Sequence, residues 1–129
     1  MRRGRRTESR ASREARCLFT ETVLDRGECE IQQFIAHRCG GGWVDACHIL
    51  PKQFIRRETN LWAEPEALAA LWNPDNALCG CRTGHNLFDA PGHGVQWWQL
   101  PAPAIEFAES HGWLWKLERD YPASEVIAA

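Results

Sequence analysis

The chain has 129 residues, 44% hydrophobic and 25% charged, with six cysteines, seven tryptophans and a formal net charge of −2. That length accommodates one compact domain but not two full cores, and the apolar share excludes a chain disordered throughout. No apolar run approaches the roughly 20 residues of a bilayer-crossing helix, and the arginine-rich start lacks the apolar stretch of a secretory signal. A cytoplasmic protein with no membrane association is therefore expected, its cysteines thiols or metal ligands more often than disulfides.

Charge is unevenly spread. Residues 1–16 hold seven arginines against two glutamates, +5, which leaves −7 for the rest of the chain. Residues 1–14 read as a basic flexible arm that either contacts nucleic-acid phosphates through counterion release or is a solvated tail, and residues 15–129 read as a single domain. In chain order, the 3–4-residue spacing of Ile31, Phe34 and Ile35 predicts a short helix around 28–37, and Gly40–Gly42 a turn. Trp43 to Leu50 reads as a strand that ends at Pro51, with Asp45 and Cys47 on one face and Ala46 and His48 on the other.

Residues 52–63 are expected as an extended loop or short helix. Pro65 to Trp72 reads as a helix stopped by Asn73-Pro74, and Asn76 to Cys81 as a brief strand or turn. Thr83 is the predicted cap of a helix on which His85 and Asp89, at i and i+4, share a face. Val95 to Leu100 reads as a strand or extended segment, followed by a helix over Ala104–His111, which Gly112 separates from Trp113–Arg119. The aromatic pairs Trp97-Trp98 and Trp113/Trp115 are read as core in preference to base-stacking platforms.

The chemistry-bearing residues fall between Cys39 and Asp89. His48-Ile49-Leu50-Pro51 closes the first strand, Asn76 precedes His85 by nine positions, and Cys39 precedes His48 by nine. Taken singly, each is more often structural: a histidine beside apolar residues, an asparagine in a turn, a histidine near a helix end. Their joint order, offsets and flanks resemble the HNH nuclease family, including its compact phage-type members. The resemblance covers about 50 residues and implies an α+β protein whose small ββα-metal core, residues 39–89, carries additional flanking helices.

Hydrolysis of a phosphodiester requires a base to deprotonate water and a cation to stabilise charge on the phosphate and leaving oxygen. Histidine titrates near neutrality and suits the first task. By the resemblance, His48 is the base, Asn76 holds the loop carrying it, and His85 ligates one divalent ion, magnesium, manganese, nickel or zinc, with Asp89 as a second helical ligand. In the family the residue before the first histidine is a metal ligand, and here it is Cys47. Either this thiolate takes a thiophilic ion, or Asp45 supplies oxygen instead, or the site is weakened. The matching zinc knuckles are half missing, although His37, Cys39, Cys79 and Cys81 could hold a structural zinc at unusual spacing. Cys17 and Cys29 are read as small buried hydrophobes.

Lys52, Arg56, Arg57 and Arg82 flank the centre and are expected to contact phosphates. The implied activity is a metal-dependent DNA endonuclease or nickase. Its alternative is a catalytically weakened nucleic-acid-binding or phage DNA-packaging accessory on the same scaffold. DNA is the expected partner, possible company for a phage terminase is implied by the phage-type members, and the setting would then be the host cytoplasm.

Overall fold

The computed structural model describes residues 8–39 and 44–124. The expected turn at Gly40–Gly42, Trp43 and the first seven residues of the basic arm lie outside them. Among the described residues, six helices surround one two-stranded antiparallel sheet, the α+β arrangement expected.

The N-terminal segment folds further upstream than its charge suggests. Helix α1 spans Arg10–Leu24, capped by the Ser9 side chain, which accepts from the Ser12 N–H. Residues 10–14 are therefore helical and do not belong to a flexible arm. Arginines do not oppose a helix, and here Arg10 pairs with Glu14 at 2.9 Å and Arg16 with Glu8 at 3.0 Å. The inward side of α1 buries Phe19 and Val23.

The helix predicted around 28–37 is reduced to a 3-10 turn at Glu30–Gln33. The Gln32 amide explains this, because it accepts from His37 N–H at 3.1 Å and donates to His37 C=O at 2.6 Å. A side chain that satisfies both backbone groups of a residue five positions on bends the chain back where a helix would carry it forward.

Strand β1, Val44–His48, pairs with β2, Ala77–Cys81, in a register running from Val44 opposite Cys81 to His48 opposite Ala77. Between them lie α2, Lys52–Glu58, and α3, Glu64–Leu71, with proline in its first turn, then a 3-10 turn at Pro74–Asn76. Arg26 fastens this hairpin to α1, donating to the carbonyls of Ala77 and Pro74 at 2.9 Å each and pairing with Glu30 at 2.7 Å. Glu30 in turn accepts from Cys79 N–H at 2.8 Å.

Helix α4, Arg82–Asp89, follows β2 without a linker, and its cap is Cys81, whose sulfur accepts from Gly84 N–H at 3.2 Å, not Thr83. The segment Val95–Leu100 is not a strand. Its donors are taken by other groups, Trp97 N–H by the Tyr121 carbonyl at 2.8 Å and Gln96 N–H by the Gln99 side chain at 2.9 Å, which leaves a 3-10 turn at Trp97–Gln99. Helices α5, Ala102–Ser110, and α6, Leu114–Asp120, complete the fold. Trp113 is buried, whereas Trp98 and Trp115 are 56% and 52% exposed, so only part of the aromatic stripe is core. Among the described residues no helix is long and apolar enough to cross a membrane.

Candidate active site and a second cluster of metal-ligand residues

His48 ends β1 half-buried, stacked on Phe19 at 4.8 Å between ring centroids and edge-on to Trp72 at 5.5 Å. Its Nε2–H donates to the Leu71 carbonyl at 2.9 Å. A carbonyl oxygen only accepts, so this bond fixes the proton on Nε2 and leaves the lone pair on Nδ1. Burial lowers the His48 pKa below histidine's ordinary value, against the opposing pull of the Leu71 carbonyl, and the charges of Lys52 and Arg56 lower it further. The ring is thus held in one tautomer, with its charged form disfavoured.

The turn that follows His48 is clamped from two sides. Asn76, 1% exposed, accepts from Leu50 N–H at 2.8 Å and donates to Leu50 C=O at 3.0 Å, while its own carbonyl accepts from Ile49 N–H at 3.0 Å. The buried Tyr121 hydroxyl donates to the Ile49 carbonyl at 2.7 Å. Every polar atom of the Asn76 amide therefore works on the backbone next to His48, which explains a fully buried polar side chain.

Across the cleft, α4 presents His85 between two carboxylates. Nδ1 lies 3.2 Å from Asp45 Oδ2 on β1, and Nε2 lies 2.9 Å from Asp89 Oδ2 one helical turn on. Two cis ligands of an octahedral ion, each about 2.1 Å from it, are separated by about 3.0 Å, so both pairs have the spacing of a chelating edge. They sit on opposite ring nitrogens, and in this ring orientation one ion uses one pair. Imidazole and carboxylate suit magnesium, manganese, nickel or zinc.

Cys47 takes no part in this centre. It is fully buried, its sulfur is 3.3 Å from where a Cβ on Gly80 would lie, and burial pushes its thiol pKa far up, with the carboxylates of Asp89 and Asp45 adding to the shift. A thiol that deep is a core hydrophobe, which removes it from the expected ligand set.

The cleft has two lobes that meet at His48 and His85. One, about 440 Å³, is bordered by Arg16, Lys52 and Arg82 together with Asp45. The other, about 530 Å³, is bordered by Asp89, His93, Asp120 and Tyr121. Of the four expected phosphate contacts, Lys52 and Arg82 thus stand at the cleft. Arg56 borders a separate depression between α1, α2 and α3, and Arg57 lines neither lobe among the described residues. Arg16, Phe19 and Tyr121 were not legible as site residues, because each reaches the cleft from an element remote in sequence.

A second group of donors lies at the first turn of α4. Cys29, His37, Cys39 and Cys81 bring one ligand atom each within 4.8 Å of one another. Cys29 stands where Cys79 was expected, because Cys79 is fully buried in the core and Cys29 is not. Burial raises the Cys81 thiol, but hydrogen bonds from Gly84 N–H, His37 and the neighbouring thiols outweigh it and bring it to about 7.

A short antiparallel hairpin leading directly into a helix, with a neutral histidine at the end of the first strand and a histidine–carboxylate group on the helix, defines the ββα-metal class of nuclease folds. Residues 17–92 match the profile of a family described as HNH endonuclease. With that match over more than half its length, the chain belongs to the HNH endonuclease family. Neither a curated protein nor a solved structure matches it. His93, Asp120 and Tyr121 border the cleft from outside the matched residues.

Proposed function

We propose that this protein is a metal-dependent DNA endonuclease or nickase in which His48 is the general base. The observation that carries this reading is the Nε2–H···O=C bond to Leu71, which leaves Nδ1 of a neutral, desolvated imidazole able to take a proton. His48 accepts that proton from water as its oxygen attacks phosphorus. The bond from phosphorus to the deoxyribose 3′-oxygen breaks, and that oxygen leaves as an alkoxide and takes a proton from solvent to become the 3′-hydroxyl, with a 5′-phosphate on the other product. Asn76 and Tyr121 are positioning residues for the backbone beside His48. Arg16 and Arg82, which border only the lobe on the Asp45 side, favour that lobe for the phosphate, with Lys52 on the border of both. A divalent ion held by His85 with Asp45 or Asp89 would stabilise charge on the phosphate and leaving oxygen.

The rival, a retired scaffold that binds without cutting, drew its support from Cys47 in a ligand position. With Cys47 in the core and carboxylates on both sides of His85, the hard-donor set does not depend on that residue. Supercoiled plasmid incubated with magnesium, manganese, nickel or zinc is expected to become nicked or linear with at least one of them and to stay intact in chelator. Intact plasmid under every metal, with DNA still retained in a gel-shift assay, would instead establish the binding module.

A further inference from the structure

The Cys29/His37/Cys39/Cys81 group has the spacing of a closed tetrahedral site. His37 Nε2 lies 3.5 Å from Cys29 Sγ, 3.6 Å from Cys39 Sγ and 3.2 Å from Cys81 Sγ. Four ligands around zinc, with Zn–S near 2.3 Å and Zn–N near 2.05 Å, place nitrogen about 3.6 Å from each sulfur. All six cysteines are free thiols, so no disulfide competes for these sulfurs.

The surroundings are those of a ligand set rather than of a chance meeting of thiols. His37 Nδ1–H donates to the Ile35 carbonyl at 2.6 Å, which places the lone pair on Nε2, the atom that faces the three sulfurs. Two sulfurs accept backbone N–H bonds, Cys29 from Cys81 at 3.3 Å and Cys81 from Gly84 at 3.2 Å, as thiolate ligands do. A Cβ at Gly84 would lie 2.8 Å from His37 Nε2 and 3.2 Å from Cys29 Sγ, so only glycine lets the helix approach this closely. The Gln32 clamp on both backbone groups of His37 then serves to hold a ligand, not merely to end a turn.

We propose that Cys29, His37, Cys39 and Cys81 bind one structural zinc ion, which ties the loop ahead of β1 to the first turn of α4. Four protein donors leave no open position, so this ion has no place for substrate. It is distinct from the divalent ion of the cleft and stands whether or not the cleft cuts DNA. Its effect there is through position, since Cys81 caps the helix that carries His85.

The full chain purified without added metal is expected to contain one zinc, released in a single equivalent by an organomercurial and read with a chromogenic chelator. Cobalt in its place is expected to show thiolate-to-cobalt charge transfer and the intense visible bands of a tetrahedral site. Zinc content is expected to survive His85→Ala and Cys17→Ser and to fall at least tenfold in affinity in Cys39→Ser, a substitution at an exposed position. A folded, zinc-free wild type with six titratable thiols, a cobalt spectrum without thiolate bands, a disulfide among these cysteines, or zinc lost with His85→Ala would each overturn the proposal. Because cobalt spectra are recorded on wild type, the outcome does not depend on a variant folding.

Discussion

At its first turn α4 meets three sulfurs and an imidazole, and one turn later the same eight-residue helix offers an imidazole between two carboxylates. The sulfur group is closed in on itself, with Gly84 allowing no side chain between helix and loop. The oxygen–nitrogen group borders two open lobes of a cleft. Soft donors in a filled shell suit an ion that holds structure, whereas hard donors beside open space suit an ion that must also meet phosphate oxygens. The difference between the ends of one short helix teaches that a ligand set is assigned by its donor atoms and access, not by nearness in sequence.

The largest separation of the two ends is expected from His85→Ala. Plasmid cleavage should fall by at least about 100-fold, as for loss of a group that stabilises the transition state, while the melting temperature and zinc content stay near wild type. Zinc loss together with activity would merge the two centres into one.

Next in size is Asn76→Ala. It leaves Leu50 N–H and C=O buried without partners, a cost of about 2–4 kcal/mol that urea denaturation would read. Cleavage should drop beyond what the lost folded fraction explains, because the turn after His48 is released. Wild-type stability in this variant would mean that Tyr121 alone holds the turn.

A pH profile sharpens the cleft end. His48 must be neutral to accept a proton, and its pKa lies below the ordinary 6.5. Cleavage should therefore persist at pH 6.5 and fall only as pH drops through the lower value. Stability carries the same sign: between the two values the unfolded chain binds the proton and the folded one does not, so stability declines as pH falls through that window. An acid limb centred above 6.5 would contradict a desolvated base.

The smallest effect belongs to Cys47→Ala. Removing a buried sulfur should cost about 1 kcal/mol and leave cleavage within twofold of wild type under every metal. A collapse of activity restricted to thiophilic metals would return Cys47 to the ligand set.

The parts of this molecule legible in the sequence are those fixed by local chemistry. Proline early in α3 and Asn73-Pro74 after it mark that helix, and the offsets among His48, Asn76 and His85 are the spacing of one hairpin and one helix. Helix α1 was hidden because its arginine-rich start looks like a tail, and its helicity rests on burial of Phe19 and Val23. The choice between Cys29 and Cys79 was hidden for a related reason: which of two cysteines turns outward depends on how the hairpin packs on Ile31 and Glu30, not on Cys-x-Cys spacing. Cys47 looked like a ligand from its place beside His48, yet its side chain is fully buried with the sulfur packed toward Gly80, so burial, which strand position does not reveal, chose the core for it.

Cleavage of supercoiled DNA by wild type and His48→Ala, under single-turnover conditions with the best metal and with both proteins shown folded by thermal melting, addresses His48 without intermediaries. Loss of about 100- to 10,000-fold in the cleavage rate with DNA binding intact is the expected result for removal of a general base. Equal cutting by the two proteins would contradict the assignment of His48 and, with it, the reading of the cleft.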